Sequence, residues 1–268
     1  MRPSSSASQA GFTLLELALV LAILGVLTML AVREIGQVQD QQRFEASQRT
    51  LEAVRDAVWG AADDRAPDGS GVRAGFVADV GRLPARLDEL WTNATGMLDF
   101  ALRSGAGDAE VRVPGGWRGP YVRLPWNATN LLDGWGNACV CTNPAPDVWR
   151  VAPGPESGTN AGLFVEFNEN EVAAWVWGQV EVDTNLLASG ACTVRIRVFG
   201  PDGGCTEASG LAIDLATNVV AWSIAAPTPV GLRAVRAYLE GAATNRSAIR
   251  YVSLRSGTNG PVSLEIRR

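Results

Sequence analysis

The side chain best placed to do chemistry in this sequence is a single carboxylate inside an apolar segment. Glu16 is the one ionisable residue between Phe12 and Val32, a run of 21 residues that is otherwise uncharged and mostly apolar. A carboxylate in such surroundings costs about 3 kcal/mol on membrane-insertion scales, so it is seldom present without a function. Glu16 is therefore a candidate functional residue. The alternative is that Glu16, near the end of a membrane span, simply reaches the lipid headgroups.

The residue types that carry most enzyme chemistry are missing from the chain. It has no histidine, and all 23 of its Lys+Arg residues are arginines. Schiff-base chemistry and the phosphate-binding P-loop lysine are therefore excluded, and the commonest general base is absent. We predict that the protein is not an enzyme and has no catalytic residues. A net charge of −5 and a pI near 4.9 argue against a nucleic-acid partner, because such a partner needs a basic surface.

Four cysteines form the second group with chemistry of its own. They are Cys139, Cys141, Cys192 and Cys205, and an even number fits an oxidising periplasm. Cys192 and Cys205 enclose a predicted hairpin, so we expect them to pair, which would stabilise the fold by about 3 kcal/mol. The other two cysteines are then left over. A zinc site made only of cysteines is the alternative, but we predict no metal site.

A long N-terminal helix must position Glu16. At about 1.5 Å per residue, a helix over Phe12–Val32 spans the roughly 30 Å hydrocarbon core of a bilayer. The apolar run is too long for a secretory signal peptide and no small-residue cleavage site follows it, so we expect a retained single-pass transmembrane helix. The chain then continues without proline to Gly60, and we predict one helix over residues 12–60. Its apolar stripe beyond the membrane consists of Phe44, Leu51, Val54 and Val58.

The segment Gly11–Glu16, with the sequence GFTLLE, resembles the processing site of type IV pilins and type II secretion pseudopilins. The resemblance implies that residues 1–11 are a leader, and that a prepilin peptidase cuts between Gly11 and Phe12 and methylates the new amino group of Phe12. It also implies that Glu16 pairs with the terminal amine of a neighbouring pilin or pseudopilin subunit.

The resemblance also implies a location and further partners. The protein is expected in the bacterial inner membrane, in a single pass with a periplasmic head, before it is assembled into a periplasmic or surface filament. Besides the peptidase and the other subunits, the implied partners are an inner-membrane assembly platform and membrane lipid.

Three further segments resemble the major pseudopilin of type II secretion, so that the resemblance covers about residues 11–140. They are Asp79–Pro84, Gly119–Val122 and Leu132–Asn137. Gly134 stands in the last of them where the family motif has proline. The resemblance implies a small β-sheet head, which we place at residues 61–152.

Members of this family often hold a structural calcium ion in a loop that follows the last segment. Residues 138–147 of this chain lack alternating carboxylates, so we predict no cofactor, although a structural calcium stays open. The acidic turn at Asp63, Asp64 and Asp68 is a second candidate, and a solvated turn is its alternative.

Residues 153–268 extend the chain beyond the head. Short runs of alternating apolar and polar residues, separated by turns such as Gly200–Gly204, are typical of a β-sandwich. The fold predicted for the whole chain is α+β: a pilin-like lollipop with a long helix, a small β-sheet head and a C-terminal β-sandwich-like module. Four arginines could form a basic face for an anionic ligand, or else be solvated outer-face residues. They are Arg195, Arg197, Arg233 and Arg236.

Two functions follow from these observations. The first is a structural subunit of a type II secretion pseudopilus or of a related type IV pilus-like filament. The alternative is a minor or tip pilin whose C-terminal β module binds a secreted substrate, a surface or DNA.

Overall fold

The chain combines one long helix with several small β-sheets. The structure is a computed structural model that describes residues 14–61, 75–93, 95–155, 162–187, 193–211, 217–240 and 246–267, without the side chains of 30–35, 187 and 209–211. Within these residues there are three α-helices and thirteen strands. The mixed α+β class that the sequence predicted is therefore confirmed.

The first helix, α1 (Leu14–Trp59), has 46 residues, and it is about 69 Å long at 1.5 Å per residue. It ends at Gly60, which takes the left-handed conformation at φ +88° and donates its N–H to the Asp56 carbonyl over 2.7 Å. Two short helices follow, α2 (Phe76–Val80) and α3 (Thr184–Leu187). Among the described residues, no helix combines the length and the hydropathy that crossing a membrane requires.

The thirteen strands form four sheets. In chain order they are β1 (Ala101–Gly105), β2 (Asp108–Gly115), β3 (Val140–Ala145), β4 (Val148–Ala152), β5 (Val165–Asn168), β6 (Ala173–Val182), β7 (Thr193–Phe199), β8 (Cys205–Leu211), β9 (Val219–Ser223), β10 (Thr228–Pro229), β11 (Gly231–Glu240), β12 (Ser247–Leu254) and β13 (Gly257–Ile266). The sheets are the β1–β2 hairpin, β3-β4-β5, β12-β11-β7-β8, and a sheet in which β6 pairs with β9, β10 and β13. β13 runs parallel to β6, and the other described pairs are antiparallel.

The strands of the C-terminal module follow the alternation in the sequence. Along β6, buried and exposed side chains alternate, so that Trp175 and Trp177 lie on the outer face. β7 likewise buries Val194, Ile196 and Val198, as the sequence predicted. A half-buried strand produces this pattern because successive side chains point to opposite faces of the sheet.

A shared hydrophobic core joins the helix, the head and the C-terminal module. One cluster of buried side chains includes Val58 of α1, Trp149 of β4, and Val180 and Val235 of the module. One sheet also spans residue 153, the expected boundary between the head and the module. β4 ends before this residue and β5 begins after it, and the two strands pair. A second, smaller cluster packs the β1–β2 hairpin onto β7 and β11 through Val111, Val113, Phe199 and Ala234.

Candidate assembly interface

The first turns of α1 carry a large apolar surface that the rest of the described chain does not cover. Between Leu14 and Met29, the large apolar side chains are exposed by 44% at Val20 and by up to 86% at Leu14. Exposed side chains occur at every position of these turns, so the apolar surface surrounds the helix. Apolar surface of this extent marks a contact with a membrane or with another protein.

Glu16 lies in the first turn of α1, on this apolar surface. Its side chain is exposed, and its position at the helix N-terminus is favourable for a negative charge because of the helix dipole. Gly11 and Phe12 lie outside the described residues. The cleavage site and the pairing of Glu16 with a Phe12 amine therefore stay predictions.

The C-terminal half of α1 is fixed to the head by buried side chains. Leu51, Val54 and Val58 are buried, which confirms three residues of the predicted stripe, whereas Phe44 is 38% exposed. Phe44 lies at the N-terminal end of the stretch that contacts the head, because the side chains from residue 36 to residue 44 are exposed.

A hydrogen-bonded contact between Ser47 and Gly134 strengthens this attachment. Ser47 is 1% exposed; its Oγ accepts a hydrogen bond from the Gly134 N–H over 2.9 Å and donates to the Arg43 carbonyl over 3.1 Å. A Cβ added at Gly134 would lie 1.9 Å from that carbonyl oxygen. The sequence analysis did not identify Ser47. The one feature of the sequence that pointed to this contact was Gly134, which stands where the family motif has proline.

The remaining motif segments form a polar network inside the head. Arg118 Nε lies 3.0 Å from Asp79 Oδ2, and the Tyr121 hydroxyl donates to the same oxygen over 3.1 Å. The Tyr121 hydroxyl in turn accepts the Arg118 N–H over 3.0 Å. Burial raises the pKa of Asp79 and also raises the pKa of Tyr121. This network connects α2 with the Gly119–Val122 segment and has a structural role.

Glu89 is the second buried acid of the head. Its carboxylate accepts two hydrogen bonds from Arg82, over 2.9 and 3.2 Å, and one from the Ala85 N–H over 3.0 Å. Burial acts to raise the pKa of Glu89, but these hydrogen bonds outweigh it and hold the pKa below its usual value. Glu89 therefore contributes stability above the unfolded-state pKa, and this contribution is lost as the pH falls through the lower, folded-state pKa.

We expect Glu89→Gln to lower the free energy of unfolding by about 2 kcal/mol at neutral pH, because a charged hydrogen-bond partner is lost from a buried site. The difference from the unaltered protein should shrink as the solution is acidified and Glu89 itself becomes protonated. Urea unfolding at a series of pH values measures both effects. The control is Asp88→Asn, which weakens the ion pair with the exposed Arg86 and should cost less than about 1 kcal/mol. A constant difference at all pH values would contradict this account.

Three of the four cysteines are described, and no disulfide joins these three to one another. Cys139 and Cys141 are half-buried, and burial raises the pKa of Cys139 to about 11 and also raises that of Cys141. Cys205 is exposed and pairs with Phe199 at one end of the β7–β8 hairpin. Cys192 lies outside the described residues, so its predicted disulfide with Cys205 stays a prediction. Thr193, at the opposite end of β7 from Phe199, is about 20 Å away along the strand, whereas a disulfide joins α-carbons about 5.5 Å apart.

The four arginines considered for an anion site are engaged within the protein. Arg195 pairs with Glu240 over 2.6 Å and with Glu207 over 3.4 Å. Arg197 also pairs with Glu207 over 3.4 Å. Arg236 binds Asp108 and Glu110 at the tip of the β1–β2 hairpin, and Arg233 is buried. Their charges are therefore balanced internally or withdrawn from solvent, which disfavours the anionic-ligand hypothesis.

The loop after the last motif segment has few carboxylate oxygens to offer a calcium ion. Asp133 Oδ1 already accepts the N–H groups of Trp135 and Asn137 over 2.9 and 2.8 Å. Residues 138–147 contain one carboxylate, that of Asp147. In the part of the chain that the structure describes, no three His, Cys, Asp or Glu side chains come together in a way that could hold a metal ion. Asp63, Asp64 and Asp68 lie outside the described residues.

Comparison with known proteins agrees with the motif at the N-terminus. Residues 6–32 match the family described as the prokaryotic N-terminal methylation motif. The type IV major pilin protein PilA of Myxococcus xanthus is 27% identical over 158 residues, which are 58% of this chain and 64% of that protein. The type II secretion system core protein G of Xanthomonas campestris is 27% identical over 137 residues, which are 51% of this chain and 70% of that protein.

The chain thus spans just under two thirds of the Myxococcus protein. No solved structure matches the chain. The methylation motif and both relatives confirm the resemblance seen in the segment Gly11–Glu16: the chain is similar to type IV pilins and to type II secretion pseudopilins.

Proposed function

We propose that this protein is a structural subunit of a type II secretion pseudopilus or of a related type IV pilus-like filament. The observation that carries the proposal is the contrast between the two halves of α1. The half from residue 45 onward packs on the head, whereas the apolar side chains from Leu14 to Met29 are exposed all around the helix. A surface of this kind needs a cover from outside the subunit, first lipid and then the helices of neighbouring subunits.

Before assembly, the segment Phe12–Val32 would cross the inner membrane once and leave the head in the periplasm. Lipid tails are as apolar as leucine, so apolar side chains alone give neighbouring helices little preference for one alignment. A charged pair supplies that preference, because each charge is costly in an apolar environment until its partner is in place. Pairing of Glu16 with the Phe12 amine of the next subunit would therefore select one axial register as the assembly platform adds subunits.

The alternative role, a tip subunit whose C-terminal module binds a substrate, a surface or DNA, receives less support. The arginines expected to form a basic face are ion-paired or buried. Nucleic acid in particular requires accessible positive charge. The structure therefore favours the filament-subunit role over recognition of a nucleic acid.

Cleavage by the prepilin peptidase tests the first step of this function. In cells that contain the peptidase, we expect mass spectrometry to show a mature chain that begins at Phe12 and carries one methyl group. Gly11→Val should leave the precursor uncut, because a branched side chain replaces the residue at the cleaved bond. Ala10→Val, one position earlier, is the matched control and should still be processed. A mature chain that begins elsewhere, or a Gly11→Val variant that is cut normally, would contradict the proposal.

A further inference from the structure

Arg233 is the largest side chain that the described part of the protein buries completely. It lies near the start of β11, in the C-terminal module. A buried arginine is costly unless its donors and its charge are satisfied. The groups that accept hydrogen bonds from Arg233 and balance its charge therefore show why an arginine can be buried here.

The guanidinium of Arg233 donates to four backbone carbonyls. Its Nε–H bonds Pro229 over 3.0 Å, one terminal nitrogen bonds Leu232 over 2.8 Å, and the other bonds both Val230 and, over 3.1 Å, Ala78. Three of these carbonyls belong to the bend from β10 into β11. The fourth, Ala78, belongs to α2 of the head, so one side chain joins the module to the head.

The charge of Arg233 also depends on both parts of the protein. Two carboxylates attract the guanidinium without a hydrogen bond: Asp79 of α2 and Asp202 in the Gly200–Gly204 turn. Asp79 is itself held by Arg118 and Tyr121 in the head. If the module moved away from the head, Arg233 would lose a carbonyl and the attraction of Asp79 at the same time.

The backbones around Arg233 approach one another closely at several points, so the module packs tightly against the head there. A Cβ added at Gly231, where φ is +117°, would lie 2.9 Å from the Ala78 backbone. A Cβ at Gly115 would lie 1.8 Å from the Pro201 carbonyl oxygen. The Ala106 N–H also donates to the Gly203 carbonyl over 2.8 Å, so the β1–β2 hairpin contacts the same turn.

We propose that Arg233 locks the C-terminal module onto the head, so that the two unfold as one cooperative body and the module keeps one orientation on the subunit. The module is then a fixed part of the head and not a domain on a flexible tether. This inference does not depend on the proposed function, because it concerns contacts within a single chain.

Hydrogen exchange on the full chain in detergent micelles tests the proposal. The reporter amides are those of Asp79, Gly81 and Gly116, which donate to the carbonyls of Gly75, Val77 and Asp79, in α2 or at its N-terminal end. Arg233→Met should accelerate their exchange by more than about tenfold, because the hydrogen bond to the Ala78 carbonyl and the attraction of Asp79 are lost together. The matched control is Arg250→Met in β12, which removes an exposed arginine that bonds Ser263, and it should leave the three amides unchanged.

Two outcomes would overturn the proposal. One is an Arg233→Met variant whose α2 amides exchange as in the unaltered protein. The other needs no variant: if α2 of the unaltered protein loses protection at a lower urea concentration than β11, the head and the module are not one cooperative body. If Arg233→Met does not fold, Arg233→Lys replaces it, because lysine keeps the charge but not the planar fork of donors. The lysine variant should also accelerate exchange at α2, and unchanged exchange would again overturn the proposal.

Discussion

Glu16→Ala is expected to leave cleavage and methylation intact and to reduce incorporation into filaments by at least about tenfold. Without the carboxylate, the Phe12 amine of the neighbouring subunit would enter an apolar environment unpaired, at a cost of several kcal/mol. Every 1.4 kcal/mol or so changes the equilibrium constant for incorporation tenfold. In-cell crosslinking followed by immunoblotting measures incorporation, and mass spectrometry of the membrane-bound chain measures processing.

Two companion variants separate the charge of Glu16 from its size and from general damage to α1. Glu16→Gln keeps the size and removes the charge, so it should fail as Glu16→Ala does. Glu52→Ala removes an exposed glutamate from the part of α1 that lies beside the head, and it should be incorporated normally. If both Glu16 variants were incorporated normally, pairing of Glu16 with the Phe12 amine could not be what sets the axial register of neighbouring subunits.

Gly134→Ala is expected to lower the free energy of unfolding by about 3 kcal/mol, the upper part of the usual range for overpacking. The new Cβ would lie 1.9 Å from the Arg43 carbonyl oxygen, and that oxygen belongs to the backbone of α1, which cannot rotate away. Gly134→Pro restores the residue of the family motif, yet it should be worse, because proline also removes the N–H that Ser47 accepts.

Urea unfolding of the full chain in detergent micelles, followed by tryptophan fluorescence, measures the effect of Gly134→Ala. Gly36→Ala is the control on the same helix: a Cβ there meets nothing within 4 Å, and alanine should stabilise α1 by up to about 1 kcal/mol. An unchanged midpoint for Gly134→Ala would mean that α1 and the Leu132–Asn137 segment separate easily. In that case the attachment of α1 to the head would rest on Leu51, Val54 and Val58 alone.

The two variants act on different ends of the same helix. Under the proposed function, Glu16 lies in the part of α1 that leaves lipid and contacts other subunits, whereas Gly134 contacts the part that holds the head. If α1 transmits assembly to the head as a single rod, Gly134→Ala should lower filament yield through a loosened head while leaving the processing of the N-terminus unchanged.

The sequence by itself determined the features that depend on short-range pattern. The segment Gly11–Glu16 and the apolar run indicated the resemblance that the comparisons confirm, and helical spacing correctly predicted the burial of Leu51, Val54 and Val58. Strand alternation likewise predicted which side chains of β7 face the core. These features are readable because the repeat of a helix or strand decides which side chains share a face, whatever lies opposite.

Only the tertiary structure decided which groups meet across long stretches of chain. Arg233 and Arg195 look alike in an alternating strand, yet one is buried under α2 and the other pairs with glutamates on the outer face. Packing also decided the contact of Ser47 with Gly134 and the parallel pairing of β6 with β13. It likewise placed Cys205 beside Phe199, at the opposite end of β7 from Thr193. The periodicity of a sequence predicts which face of a helix or strand is buried. Which residues pack against that face depends on contacts between segments that are distant in the chain.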